Sequence, residues 1–205
     1  MPAVNCINNS HSGCLKNTSD KLLVACAVAG CRNCFEALVY RYEGKLLHYL
    51  LGKVANRADA EDLLQETFVK AYKNLASYSS QWQFSTWIYT IASRLAISHY
   101  RKKQIALGVD ESIPTSKPGP AGQLEEADFQ DAFWVKIAQL LNDNQYSAIW
   151  LRYNQGMRVS EVAQALDKSE SHIKVLLFRA RAQLSEKLTQ LPEFAEFASP
   201  GTGEN

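Results

Sequence analysis

The residues of this chain that could bind a metal ion or undergo redox chemistry are its five cysteines, which all lie in the first 34 positions. Cys31 and Cys34 have the Cys-x-x-Cys spacing of zinc ligands and redox-active thiols, and His11 and Cys14 could complete a set of four ligands. One such pair is a weak signal, and Cys34 precedes Phe35 in an apolar helical pattern where a small buried side chain fits. A structural role is therefore favoured, with zinc binding and redox sensing as alternatives.

Side chains that could support catalysis are not grouped in this sequence. It contains no glycine-rich phosphate loop, and no cluster of histidine and carboxylate residues has the spacing of metal ligands. The sequence thus predicts a protein that is not an enzyme and that needs no cofactor.

Binding of nucleic acid is indicated by the segment from Thr67 to Val109, which has six basic residues, eight aromatic residues and no acidic residue. Single-stranded DNA is bound by positive charge along its phosphates and by aromatic side chains that contact unstacked bases. Trp82 and Phe84 are predicted to lie in a loop and contact bases, whereas Trp87 follows an apolar stripe and is expected in the core. Four polar or basic residues share one predicted helix face, for which a merely solvated surface is the alternative: Arg94, Ser98, Arg101 and Lys102.

A pair of helices joined by a tight turn is predicted near the C-terminus. Apolar spacing indicates a short helix over 159–166, a tight turn over 167–169, and a longer helix whose apolar stripe runs from Ile173 to Leu188. Ser169 or Ser171 is placed to cap this longer helix. This is the pattern of a helix-turn-helix, whose second helix enters the major groove of DNA. An ordinary helical hairpin with solvated lysine and arginine residues is the alternative.

The elements that must position these residues are helices. Apolar residues recur at helical spacing through most of the chain, and no alternating stretch is long enough to indicate a sheet. Three prolines and three glycines interrupt the pattern and indicate an extended acidic linker. We predict an all-α fold, with Asp20 as the cap of the first helix. Its parts are a disordered tail (1–18), a helical domain (19–104), a linker (105–127), a helix-turn-helix domain (128–191) and a C-terminal tail (192–205).

Charge is balanced overall but unevenly distributed along the chain. The formal net charge is +1, yet a purely acidic run over 59–66 directly precedes the basic aromatic segment. Segregated charge of this kind indicates several partner surfaces on one chain. No apolar run reaches the roughly 18–20 residues that cross a bilayer, so we predict a cytoplasmic protein without membrane insertion.

Three motifs resemble those of the extracytoplasmic-function (ECF) RNA polymerase sigma factors, group IV of the sigma-70 superfamily. Residues 60–72 look like region 2.2, residues 84–92 and 99–102 resemble regions 2.3 and 2.4, and residues 159–181 resemble region 4.2. The motifs occur in the family's order and at its separations. Together they are far more specific than any one of them.

The resemblance implies a DNA-binding subunit that directs core RNA polymerase to promoters. The acidic helix would bind core polymerase through Asp59, Glu61, Asp62, Gln65 and Glu66. The basic aromatic segment would hold the melted minus-10 element, with one flipped base. Its implied contacts are Trp82, Phe84, Arg94, Ser98, His99, Arg101 and Lys102. The helix-turn-helix would read the minus-35 duplex through Lys168, Ser169, Ser171, His172, Lys174, Val175, Phe178, Arg179 and Arg181.

The resemblance also implies an anti-sigma factor as a partner. The chain departs from the family at several DNA-facing positions, including Val175 and Leu176 where serine and arginine are frequent, and these departures concern the promoter sequence rather than the general role. The alternative function is a stand-alone helix-turn-helix regulator, possibly with a cysteine-based redox or zinc input. Such a regulator needs neither the acidic run nor the basic aromatic segment.

Overall fold

The structure, a computed structural model, describes residues 17–54, 56–106 and 129–188. All regular secondary structure in these ranges is helical, which confirms the predicted all-α fold. The helices are α1 (Asp20–Val28), α2 (Arg32–Leu51), α3 (Arg57–Lys73), α4 (Phe84–Ala106), α5 (Phe129–Leu140), α6 (Asp143–Ile149), α7 (Val159–Leu166) and α8 (Glu170–Leu188). A 3₁₀ turn (Leu75–Ser77) and a π-helical segment (Trp150–Asn154) complete them. Most of the predicted linker and tails lies outside the described residues.

The first helix is anchored by a charged contact rather than by the predicted cap. The residue at the cap position is Ser19, and Asp20 is instead the first residue of α1. The Asp20 carboxylate accepts hydrogen bonds from Arg41 and from the Tyr42 hydroxyl, both on α2. Burial, together with the neighbouring Asp20 charge, raises the pKa of Tyr42 well above its usual range. The prediction that Asp20 caps α1 is therefore wrong, because its side chain ties α1 to α2.

Helices α1 to α4 pack around apolar and aromatic side chains. Leu23, Leu38 and Leu46 are fully buried, as is Ile88 from α4. Asn56 caps α3 by accepting a hydrogen bond from the backbone amide of Asp59 at 2.7 Å, which satisfies one of the free donors at a helix N-terminus. The packing fixes which faces of α3 and α4 remain at the surface.

Helices α5 to α8 form a second group around Trp150. The indole ring of Trp150 is buried and packs edge-on against Trp134 of α5, with ring centroids 4.6 Å apart. Helix α6 begins with a capping box in which Asn142 and Gln145 each bond the other's backbone amide. Helix α8 packs against both α6 and α7, so that the four helices share a common core.

The two helical groups are joined by a buried polar contact at the end of α2. The Lys53 ammonium, which is 4% exposed, lies 2.6 Å from the Asp143 carboxylate and 2.8 Å from the Ser147 hydroxyl, both on α6. The Tyr49 hydroxyl also contacts the Ser147 hydroxyl at 3.2 Å. Burial alone would lower the pKa of Lys53, but the Asp143 carboxylate offsets this effect and the pKa lies above its ordinary value. The buried positive charge of Lys53 in the first helical group is therefore balanced by the carboxylate of Asp143 in the second.

Apolar side chains also pack across the boundary between the two helical groups, beside the Lys53–Asp143 contact. The Tyr49 ring lies parallel to the Tyr146 ring, with centroids 6.1 Å apart, and one continuous core runs through both helical groups. Helix α4 of the first group packs along α7 of the second. None of the described helices is both long enough and apolar enough to cross a membrane.

Candidate nucleic-acid and polymerase interfaces

The exposed acidic face of α3 is built from three of the predicted polymerase contacts. Asp62, Gln65 and Glu66 are all exposed, and their spacing of three and four residues places them on one side of the helix. Glu66 forms an ion pair with Lys70 one turn later, with nitrogen and oxygen 3.1 Å apart. The buried residues of α3, including Leu63 and Thr67, occupy the other side. The face thus lies opposite the buried side of α3 and carries two carboxylates, Asp62 and Glu66.

The two other predicted polymerase contacts are engaged within the chain. The Asp59 carboxylate lies 3.0 Å from the Lys103 ammonium and 3.4 Å from the His99 imidazole, both on α4. Partial burial disfavours the charged carboxylate, but Lys103 and His99 outweigh it and hold the pKa of Asp59 below its ordinary value. Glu61 forms an exposed ion pair with Arg57 at 2.7 Å. Asp59 therefore links α3 to α4 instead of joining the exposed acidic face.

Helix α4 carries the predicted basic surface. Arg94, Ser98, Arg101 and Lys102 are exposed, and their spacing places them on neighbouring positions of one side of this helix. The opposite side is fixed in the core by residues such as Ile88 and Ala92. His99 is half-buried beside Asp59, so its imidazole faces α3. This surface has three positively charged side chains that are accessible to a phosphate backbone, and α4 itself contains no acidic residue.

The structure separates the two aromatic residues predicted to contact bases. Trp82 precedes α4 and is half-buried, with its backbone carbonyl accepting a 2.6 Å hydrogen bond from the Tyr78 hydroxyl. Phe84 is the first residue of α4 and is 2% exposed. Its ring packs edge-on against Tyr42, with centroids 5.3 Å apart, and in a tilted arrangement against Trp87, with centroids 5.7 Å apart. The predicted loop position of Phe84 is thus corrected: its ring is a core side chain, closed to a base in this conformation.

The predicted helix-turn-helix is formed by α7, a three-residue turn and α8. Asp167 ends α7 in the left-handed conformation, with a φ of 54°, which is compatible with a tight turn. Ser169 caps α8, because its hydroxyl accepts a 3.2 Å hydrogen bond from the backbone amide of His172. The turn chemistry predicted from the sequence is therefore present, with Ser169 rather than Ser171 as the cap.

One residue that fixes the helix-turn-helix was missed by sequence reasoning. Glu161 is 4% exposed, and its carboxylate accepts a 2.8 Å hydrogen bond from the backbone amide of Arg158 at the start of α7. Burial opposes its ionisation, but the bonds from Arg158 lower the pKa of Glu161 below its usual value. The spacing of three residues before an apolar helix was the available signal for this half of a capping box.

Helix α8 divides sharply between a core face and an exposed face. Ile173, Leu176, Leu177 and Ala180 are buried. None of the nine residues predicted to bind the minus-35 element belongs to this buried set: Lys168 is half-buried, and Ser169, Ser171, His172, Lys174, Val175, Phe178, Arg179 and Arg181 are exposed. The helix is thereby seated on the core and presents a basic, partly apolar surface.

The two predicted DNA-binding regions meet in one open cleft of about 390 Å³. Trp82 from the first helical group forms one side, and the other is formed by α7, the turn and the first residue of α8, including Lys168 and Ser169. In this arrangement the predicted minus-10 loop and part of the predicted minus-35 surface face each other.

The Cys-x-x-Cys pair lies at the start of α2. Cys31 occupies the position before the first helical residue, and Cys34 is 1% exposed within the core. Among the described residues, no three His, Cys, Asp or Glu side chains are grouped as metal ligands. His11 and Cys14, the other proposed ligands, lie outside the described residues. Burial of Cys34 agrees with the favoured structural role, and the redox and zinc alternatives stay predictions.

Comparison with known proteins identifies both halves of the chain. The family described as Sigma-70 region 2 matches residues 38–105, and the family described as Sigma-70, region 4 matches residues 136–184. The chain is 30% identical to the RNA polymerase sigma factor YlaC of Bacillus subtilis over 167 residues, which cover 79% of this chain and 96% of that protein. It is 29% identical to the ECF RNA polymerase sigma factor BldN of Streptomyces coelicolor over 81% of this chain and 64% of that longer protein.

A solved structure has the same architecture. The sigma factor RpoE from Bartonella quintana, in complex with the anti-sigma factor NepR, superposes with a TM-score of 0.61. It is 25% identical, and the match covers 77% of this chain and 98% of that chain. The two matched regions and the similarity to YlaC leave no support for a stand-alone helix-turn-helix regulator. The chain belongs to the ECF RNA polymerase sigma factors, non-enzymatic DNA-binding proteins of transcription initiation.

Proposed function

We propose that this sigma factor divides its contacts among three surfaces. The exposed face of α3 binds core RNA polymerase through Asp62, Gln65 and Glu66, while Asp59 holds α3 against α4 and Glu61 pairs with Arg57 on the same helix. The exposed side of α4, with Trp82, holds the melted minus-10 strand, and α8 reads the minus-35 duplex. The observation that best supports this assignment is α8, which is seated on the core by Ile173, Leu176, Leu177 and Ala180 while its basic residues all remain accessible.

Single-strand binding by α4 follows from its chemistry. Arg94, Arg101 and Lys102 provide positive charge for the phosphates, and Ser98 lies between them as a polar contact. Trp82 is the aromatic residue that a flipped base could reach, since Phe84 is buried in the core. His99 acts indirectly, because its imidazole faces Asp59 and helps hold α4 against α3.

Both DNA elements cannot be bound in the arrangement seen here. By their numbering the minus-10 and minus-35 elements are about 25 base pairs apart, or about 85 Å at roughly 3.4 Å per base pair. Trp82 and Lys168, which are assigned to different elements, line a single cleft. The two helical groups must therefore separate, with breakage of the Lys53–Asp143 contact, before the sigma factor spans a promoter.

We also propose a cytoplasmic protein that is controlled by an anti-sigma factor. RpoE, which shares the fold over most of its length, is bound to the anti-sigma factor NepR in its solved structure. The exposed basic and apolar residues of α8 and the acidic face of α3 are surfaces that such a partner would compete for.

Run-off transcription with purified core polymerase and fragmented genomic DNA tests the proposed function. Discrete start sites that depend on this protein are expected, and alignment of the upstream DNA should give both promoter elements. The double variant Asp62→Ala/Gln65→Ala should lose about tenfold or more in transcription and in binding to core polymerase, because its docking face is removed.

The matched control is Glu43→Ala, which removes an exposed acidic side chain from α2 rather than α3. It should transcribe as the unmodified protein does. Equal activity of the α3 variant and the control would contradict the assigned docking face, and absence of any new start site would contradict promoter recognition.

A further inference from the structure

Two apolar side chains on the proposed DNA-reading face of α8 are not used for packing. Val175 is 46% exposed and Phe178 is 68% exposed. They are three residues apart, which places them on the same side of the helix. The contacts of α8 with the core are supplied by other residues, chiefly Ile173 and Leu177, which are buried. Val175 and Phe178 are thus a small apolar patch within a polar surface.

The surroundings of this patch fit duplex DNA. Lys174 and Arg179 flank the two apolar residues in the chain, Ser171 lies one turn before Val175, and Arg181 lies one turn after Phe178. These side chains are exposed and can bind phosphates on either side of a groove. An apolar patch framed by cations is therefore directed at the base edges once the phosphates are bound.

The chemistry of the two side chains restricts what they can read. Valine and phenylalanine have no polar side-chain atom, so they cannot distinguish bases by hydrogen bonding. In the major groove, the only methyl group at a base edge is the 5-methyl group of thymine. Leu176 stands where the family frequently has arginine. Its side chain is apolar and only 9% exposed, so this position adds no polar contact to the bases.

We propose that Val175 and Phe178 select thymine in the minus-35 element by direct contact with its 5-methyl group. This inference rests on the proposed role of α8 as the minus-35 reader. The flanking cations then supply affinity that is independent of sequence, and the two apolar residues supply a preference for thymine at one or two base pairs.

Replacement of thymine by uracil tests this proposal, because it removes only the methyl group and leaves base pairing and hydrogen-bonding groups intact. Holoenzyme assembled with the full chain is titrated with duplexes of a mapped promoter, in which each thymine of the minus-35 element is replaced singly. Uracil should weaken binding by about threefold to tenfold at one or two positions, the loss expected for one buried methyl group. Uracil in the spacer between the elements should have no effect.

Variants of the protein assign the effect to the two residues. Val175→Ala and Phe178→Ala should bind thymine and uracil duplexes equally at the positions that they read. The matched control is Val28→Ala, which removes the same atoms from a 50% exposed valine on α1 and should keep the full discrimination. Circular dichroism confirms that each variant is folded, and Phe178→Leu, which keeps an apolar side chain, provides a second variant at that position.

The outcomes separate this inference from the proposed function. The methyl contact alone is overturned if the holoenzyme binds the minus-35 duplex but no uracil replacement weakens binding. It is also overturned if discrimination between thymine and uracil survives in both Val175→Ala and Phe178→Ala. A minus-35 element without thymine overturns it as well, and would leave the patch as a protein-binding surface. Holoenzyme that does not require the minus-35 duplex overturns the proposed role of α8 itself.

Discussion

At the scale of single residues, close packing of the two helical groups depends on the absence of a side chain at Gly52. A Cβ atom at Gly52, the residue that follows α2, would lie 2.2 Å from the ring of Tyr146 on α6. That ring is fully buried and belongs to the core, so it has little freedom to move. Gly52 is required here for close packing and not for an unusual backbone angle, since its φ is −74°.

Gly52→Ala should destabilise the protein by about 1–3 kcal/mol, because the added methyl overlaps the Tyr146 ring and forces side chains apart. Urea denaturation of the full chain measures this change. Gly44→Ala is the matched control on the same helix, since no atom lies within 4 Å of its added Cβ, and it should stabilise the protein by about 0.5–1 kcal/mol. Equal effects of the two substitutions would contradict the packing account.

At the scale of helices, the pairing of α3 with α4 depends on charge as well as on apolar contact. Asp59 near the start of α3 contacts Lys103 and His99 near the end of α4, two positions one turn apart. Because α3 is the proposed polymerase-binding helix and α4 the proposed minus-10 helix, this contact fixes one proposed binding surface relative to the other.

The Asp59 contact should make the stability of the protein sensitive to acid. Its pKa is lower in the folded state than the usual value of 3.8. The stabilisation is therefore complete above about pH 4 and is lost as the pH falls through the lower, folded-state value. Asp59→Asn should have a lower Tm than the unmodified protein at pH 7, and the two values should converge as the pH approaches 2. A constant difference in Tm over this range would show that the charge of Asp59 does not stabilise the folded protein.

How far the helices could be predicted depended on whether local or distant residues decided the outcome. The two faces of α8 follow from apolar spacing within the helix, so Ile173 and Leu177 could be assigned to the core from the sequence. Phe84 lies four residues before Ile88, a spacing that fits the same buried stripe, but its partner Tyr42 lies more than 40 positions earlier and could not be identified from the sequence. Asp59 likewise appears in the sequence as one of an acidic run, whereas its partners come from another helix.

At the scale of the whole molecule, the described helices form one body held by a contact between distant residues. Lys53 and Asp143 are 90 positions apart, and the sequence alone left open whether the two helical groups touch. A buried ammonium that loses its carboxylate keeps its desolvation cost without compensation. Loss of one member of the Lys53–Asp143 pair should therefore destabilise the joined helical groups more than replacement of both members.

Asp143→Ala should destabilise the joined arrangement by about 3 kcal/mol, because it leaves the Lys53 ammonium buried and unpaired. The double variant Lys53→Met/Asp143→Ala should recover most of this loss. Small-angle scattering, with urea denaturation, reports the separation of the helical groups and its free energy. Glu61→Ala is the control, since it breaks the exposed pair with Arg57 and should change stability by less than about 1 kcal/mol.

The buried contact between Lys53 and α6 also determines the fraction of sigma-factor molecules in which the two helical groups are separated. If only separated molecules span both elements, the apparent dissociation constant equals the intrinsic one divided by the separated fraction. Each 1.4 kcal/mol of added contact energy therefore makes the sigma factor act as if it were tenfold more dilute. An inhibitory protein need not cover any DNA-binding residue, since it need only bind the joined form more tightly than the separated one. If the helical groups must separate as proposed, the contact at Lys53 sets the sensitivity of the gene-expression response as well as the stability of the fold.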